Sequence, residues 1–282
     1  MEVTSKIKDM QALLNNQRGQ KNKIAFIPTM GNLHEGHLSL IEIAKTYAEF
    51  IVVSIFVNPT QFNEDEDFDV YPRTIKSDLS KLKDIDIDLV FLPEISTIYP
   101  YGIDVSTQII VPRLSQELCG KIRPGHFNGV TSVVLRLFNI IEPDFAVFGQ
   151  KDYQQKILLE FMTKDLSLEI RILDGPTIRE KDGLAMSSRN QLLSSSARSS
   201  AKDLYLVLQQ AKQFAQMQDM SFSLIEDLSI KTLEENGFMV DYFSIREKKY
   251  LVKPNKKDKE LIILASAKIE NVRLLDNVFL DL

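Results

Sequence analysis

Two of the chain's three histidines, His34 and His37, stand three residues apart in PTMGNLHEGHLSLIEIAK (28–45), with Gly36 between them. Imidazoles so placed can hold a metal, cap a helix, or bind an anion. The zinc-protease pattern H-E-x-x-H spaces its histidines four apart on one continuous helix. Here the spacing is three, a glycine interrupts, and no cysteine cluster or third ligand lies nearby, which argues against zinc. Helix capping suits either histidine alone and suits the pair less well. Anion binding uses both. A helix N-terminus offers unpaired N–H groups and the positive end of the dipole. It also disfavours further positive charge, so the pair is expected to act as neutral N–H donors toward a polyphosphate. Donors aimed there stabilise charge on a pentavalent phosphorus and a leaving pyrophosphate.

Three other segments carry groups suited to a nucleotide. EKDGLAMSSRN (180–190) offers the Ser187 and Ser188 hydroxyls and the Arg189 guanidinium, with Gly183 for loop flexibility. Such a loop binds phosphate, or it is simply a turn with a serine cap. GQKDYQQ (149–155) holds Gly149, where a ligand can approach backbone, and Lys151, within reach of phosphate. Its Asp152 is a ribose acceptor or an acidic cap, and Gln155, one turn further on, can bond a polar substrate. GKIRPGHFNGV (120–130) contributes Lys121, Arg123 and the third histidine, His126. Neither a Walker A motif nor G-x-G-x-x-G occurs in the chain.

Parallel strands alternating with helices would place these groups together. KIAFIP (23–28), FIVVSIFV (50–57), IDLVFLP (87–93), DFAVFG (144–149) and LEIRIL (168–173) read as buried strands. Helices are expected after Gly36, in SDLSKLKD, over GVTSVVLRLFNIIEP (129–143) and in DYQQKILLEFMTKDL. The loop NPTQFNEDEDFDVYPRT follows the second strand. The expected fold class is α/β, a Rossmann-like parallel sheet flanked by helices. PTMG, NPTQF and GQKD then fall beyond the carboxyl ends of strands, where ligands sit in such folds. After about residue 177 the pattern changes to two helices, SSSARSSAKDLYLVLQQAKQFAQ and SFSLIEDLSIKTLEENG, and three strands. We therefore expect domains at 1–177 and 178–282, the second a smaller α+β domain that covers the site and carries the SSR loop.

Composition narrows the classes. The 282 residues are 44% hydrophobic and 26% charged, an ordinary globular balance. Net charge is −5, which disfavours a nucleic-acid partner; the mixed run KPNKKDKE (253–260) reads as a solvated loop. No apolar run is long enough to span a membrane, and no signal peptide is expected. The single cysteine, Cys119, fits a reducing, cytoplasmic setting.

H-x-G-H after a first strand is similar to the signature of nucleotidyltransferase-like α/β enzymes. The wider set PTMGNLHEGHLSL, VSIFVNPTQF, YPRT, RPGHFNGV, FGQKDYQQ, DGLAMSSRN and RLLDN closely resembles the pantoate–β-alanine ligase family, in order and spacing. The resemblance implies that pantoate, β-alanine and ATP are the substrates, with Mg2+ accompanying ATP and no tightly bound cofactor. A pantoyl adenylate would form with loss of pyrophosphate, and β-alanine would displace AMP. It implies phosphate binding by His34, His37, Lys151, Ser187, Ser188 and Arg189, with His34, His37, Lys151 and Arg189 catalytic. Met30, Gly149 and Ile178 would meet the nucleotide, Asp152 the ribose, and Gln61 and Gln155 pantoate, with Asn58 and Tyr71 shaping that side. Asp78 is the one candidate metal ligand, and the family suggests a homodimer. The sequence departs from the family's usual pattern in the helix after YPRT, which reads IKSDLSKL, with Lys81, where acidic residues are common, and at Cys119 in ELCG and Asp174 and Gly175 ahead of a proline. The rivals are an adenylyltransferase that keeps the nucleotide on its product, a class I tRNA synthetase remnant and a catalytically dead nucleotide-binding module. The first needs neither NPTQF nor FGQKDYQQ, the second a basic RNA-binding extension, and the third would bind ATP without turnover.

Overall fold

A computed structural model describes residues 1–62, 68, 69, 71–255 and 257–282. Parts of the loop expected over 58–74 and of the run 253–260 therefore lie outside the described residues. The chain divides into two compact units, 1–150 with 158–176, and 151–157 with 177–282. The alternation of strands and helices gave no sign that 151–157 belong with the C-terminal elements.

In the first unit, β1 (Glu2–Thr4), β2 (Ile24–Thr29), β3 (Phe50–Ile55), β4 (Leu89–Phe91), β5 (Phe145–Gly149) and β6 (Arg171–Gly175) form one sheet in the order β1-β4-β3-β2-β5-β6. Every pairing is parallel. Burial on both faces explains the unbroken apolar runs of β2 and β3. β1 was not expected: three residues with two exposed carry no usable period, and pairing with β4 alone makes them a strand. The helices are α1 (Ile7–Gly19), α2 (Glu35–Lys45), α3 (Ile75–Asp84), α4 (Ile95–Ile98), α5 (Cys119–Ile122), α6 (His126–Ile141) and α7 (Tyr153–Asp165), the last shared by both units. α2 lays Leu40, Ile41 and Ala44 into a core with Ala25, Ile27, Ile51, Val53 and Val147. α6 stops at Glu142, in the left-handed region, before Pro143. From β2 the chain moves outward to β3 and β4, then returns to the other side of β2 at β5. The carboxyl ends of β2 and β5 thus flank the switch point, where open α/β sheets bind ligands.

The second unit pairs β7 (Met239–Glu247), β8 (Glu260–Ile269) and β9 (Val272–Asp281) antiparallel in that order. α8 (Ser195–Ala201), α9 (Asp203–Met217) and α10 (Phe222–Glu235) accompany them, and Leu204, Leu208, Ile225, Leu233, Leu261 and Ile263 share its core. The single helix expected over 194–216 is two, parted at Lys202.

Candidate active site

In the first unit the loop from β2 to α2 carries Met30 and both histidines. Gly31 has φ 79°, and a Cβ there would press on Ile55 at 3.0 Å and on the Asp78 carboxylate at 3.1 Å. Asp78, fully buried on α3, accepts from the N–H groups of Asn32 (2.9 Å) and Leu33 (2.8 Å) and from the Thr74 hydroxyl (3.1 Å). Lys81, one turn on, donates to the Leu33 carbonyl at 2.6 Å. α3 therefore grips three backbone groups just ahead of His34. Both Asp78 oxygens are engaged in that grip. Among the described residues no group of three His, Cys, Asp or Glu is placed to hold a metal.

His34 caps α2. Its Nδ1 accepts from Gly36 N–H at 3.1 Å, and His37 Nδ1 accepts from His34 N–H at 3.3 Å, closing a capping box with the rings 4.2 Å apart. Capping, set against anion binding in the sequence, is thus a role both residues have, and it leaves each Nε2 outside the cap. Backbone N–H groups can only donate, so each Nδ1 must be an unprotonated acceptor. The proton of each neutral ring then sits on Nε2. The cap selects the tautomer.

Asn58, Gln61, Arg123 and His126 are also brought together in this unit. Asn58 and Gln61 lie at a 3-10 turn over Pro59–Gln61, and all four side chains are buried. Asn58 Nδ2 donates to Gln61 Oε1 at 3.2 Å, and Gln61 Nε2 reaches the Met30 sulfur at 2.9 Å. Tyr99 donates its hydroxyl to Asn58 Oδ1 at 2.7 Å, and burial raises the Tyr99 phenol above its ordinary value. Tyr71 is buried against the Phe62 ring, 5.7 Å between centroids. Gly149 ends β5, whose neighbour in the sheet is β2.

The second unit holds the other predicted residues. Lys151 and Asp152 lie in a 3-10 turn ahead of α7, their side chains 3.7 Å apart, and Gln155 is on the first turn of α7. Asn277 of β9 donates its side-chain amide to the Lys151 carbonyl at 2.9 Å. Its neighbour Asp276 pairs with both arms of Arg179, at 2.8 Å to one, and Arg179 lies 3.7 Å from the Tyr205 ring centre. Burial pushes the Asp276 carboxyl up, against the pull of Arg179. Arg179 also donates to the Gly183 carbonyl, and Met186 N–H donates to Ile178, so 178–186 closes as a small hairpin. Beyond it Ser187 caps a 3-10 turn, accepting from Arg189 N–H at 3.3 Å, with Ser188 buried. The pantoate candidates Gln61 and Gln155 thus belong to different units. Sequence reasoning missed Arg179, Asp276, Asn277 and the grip of α3; RLLDN stood out in the sequence, but nothing local assigns it a partner.

A parallel sheet with a helix-capping H-x-G-H loop at its switch point defines an α/β enzyme of the nucleotide-binding kind. The profile of one family, Pantoate-beta-alanine ligase, matches residues 2–279. A pantothenate synthetase of Methylococcus capsulatus is 45% identical over 282 residues, 100% of this chain and 99% of that protein. One of Hahella chejuensis is also 45% identical, covering all of both chains. The crystal structure of pantothenate synthetase from Thermus thermophilus is similar at a TM-score of 0.91, with 35% identity and 99% of each chain covered. A Francisella tularensis pantoate-beta-alanine ligase, complexed with beta-gamma ATP and beta-alanine, is similar at 0.84, with 34% identity over 99% of this chain and 97% of that one. The chain belongs to the pantoate–β-alanine ligase family and is a ligase.

Proposed function

We propose how this chain carries out the ATP-dependent condensation of pantoate with β-alanine to pantothenate. Pantoate's carboxylate oxygen attacks the α-phosphorus of ATP, and the bond to pyrophosphate breaks. The β-alanine amine then attacks the acyl carbon of the adenylate, loses a proton and expels AMP. A carboxylate becomes an acyl donor only once its oxygen can leave, which is why ATP is needed. Positioning and charge stabilisation supply the rate without a protein nucleophile.

In this reading His34 and His37 donate their Nε2 protons to the phosphates, beside Met30 and the Gly149 backbone. Lys151, Ser187, Ser188 and Arg189 bind phosphate, Asp152 the ribose, and Ile178 the nucleotide through its backbone. Gln61 and Gln155 hold pantoate's hydroxyl and carboxylate oxygens, with Asn58 and Tyr71 shaping that side. The substrate is MgATP. Magnesium would accompany ATP and neutralise phosphate charge there; no protein ligand is assigned to it, and no step is routed through it. The observation that carries this reading is the capping box, which leaves both histidines as Nε2–H donors at the switch point.

The chain works as a homodimer in the cytoplasm; a single species of the monomer mass in sedimentation velocity would remove the dimer. No helix among the described residues is long and apolar enough to cross a membrane. The decisive experiment is isotope exchange between pyrophosphate and ATP with magnesium and pantoate but without β-alanine. Pantoate-dependent exchange supports a reversible adenylate step. Absent exchange, together with no AMP on adding β-alanine, refutes the route.

A further inference from the structure

Arg123, His126 and Gly129 sit in the third-histidine segment, to which the proposed chemistry gives no work. We infer that they form a positioning device that sets the Gln61 side chain for pantoate, an inference that rests on Gln61 being a pantoate ligand. His126 Nδ1 lies 2.6 Å from the Gln61 carbonyl oxygen. A carbonyl only accepts, so Nδ1 carries the proton. His126 Nε2 lies 2.9 Å from an Arg123 nitrogen. A guanidinium only donates, so Nε2 offers its lone pair. The ring is therefore neutral, in one tautomer, opposite to that of the His34–His37 pair. The other arm of Arg123 points at the same Gln61 carbonyl, 3.4 Å away. Arg123 and His126 are each only 8% exposed.

Gly129, one turn along α6, completes the contact. A Cβ there would stand 2.2 Å from the Thr60 oxygen and 2.7 Å from the Gln61 nitrogen, so the turn rests on bare helix backbone. The Gly129 carbonyl accepts from Asn58 Nδ2 at 3.2 Å, and the same amide donates to Gln61 Oε1. With Oε1 turned to Asn58, Gln61 Nε2 is the end turned to Met30, and it is a donor, matched to pantoate's oxygens. Both the backbone and the amide orientation of Gln61 thus trace to 123–129. Displacing a substrate ligand by about 1 Å can cost 10²-fold in rate.

The test is steady-state kinetics of the full chain with pantoate and ATP varied separately. For His126→Ala we expect pantoate KM to rise about tenfold, with ATP KM within about twofold. His126→Asn puts an amide N–H where Nδ1–H stood and is expected to recover most of that loss. In a Gln61→Ala background, itself raised in pantoate KM, His126→Ala should add nothing. Should His126→Ala fail to fold, Arg123→Lys serves, with a smaller rise in the same constant expected because one amine cannot reach both acceptors. The inference is overturned if Gln61→Ala raises pantoate KM while the His126 and Arg123 variants leave it alone. It is equally overturned if His126→Ala acts undiminished in the Gln61→Ala background, which would make His126 a direct ligand. An unchanged pantoate KM in Gln61→Ala removes the Gln61 assignment itself and this inference with it.

Discussion

The loop before α2 and the loop before α8 both end in a capped helical turn, yet they are held in different ways. His34 and His37 hold each other across three residues, through backbone N–H groups that any helix start exposes. The hairpin 178–186 and Lys151 are held from β9, by Asp276 across 97 residues and by Asn277 across 126. The first arrangement orients donors through local geometry. The second depends on a strand whose place is known only when the small sheet has formed. Chemistry in the first should therefore be lost by changing a proton donor, and in the second also by changing residues that meet no substrate.

The largest effects should come from the donors themselves. Asn is an excellent N-cap but lacks an Nε2–H, so His34→Asn should keep thermal stability while pyrophosphate exchange falls about 10²–10³-fold, the cost of one lost donor to developing charge. If exchange survives, the histidine is only a cap. Lys151→Ala should cost a comparable factor, with the fold intact by circular dichroism. Asp276→Ala leaves the half-buried Arg179 without its carboxylate partner and should destabilise the protein by about 2 kcal/mol in urea melts. It should also raise ATP KM with pantoate KM little changed, a combination that has no counterpart at the His34 loop. Asp78→Asn, which sets an amide against two backbone N–H groups, should cost about 2 kcal/mol.

The smallest effect tests the rim of the second loop. Arg198 holds the Asp182 carboxyl below its ordinary value by donating to it. A depressed folded value stabilises above the unfolded value of about 3.9. That contribution fades as pH falls through the lower folded value. Asp182→Asn should therefore flatten stability against pH below about 4, and leave it nearly unchanged at pH 7 because the pair is exposed to solvent.

The parallel sheet was legible because its strands are buried on both faces and read as continuous apolar runs such as FIVVSI. Helix α6 began earlier than its apolar period, at His126, because Gly125 takes a left-handed turn that periodicity does not register. β1 was invisible for a related reason: its pairing with β4, across more than eighty residues, is all that makes it a strand.

By itself the sequence determined the α/β class, the H-x-G-H loop at the end of the first long strand, and the family. The first two rest on short-range information, a hydrophobic period, a glycine at a turn and donors three residues apart; the family rests on motifs from PTMGNLHEGHLSL to RLLDN, in order and spacing. Only the tertiary structure decided that both histidines carry the proton of the neutral ring on Nε2, that Asp78 accepts from the backbone ahead of His34, that His126 takes the opposite tautomer against Gln61, and that RLLDN grips Lys151 and Arg179. Hydrogen-bond roles and tautomers are set by the atom across the contact. For Asp78, His126 and Asp276 that atom lies 45, 65 and 97 residues away in the chain.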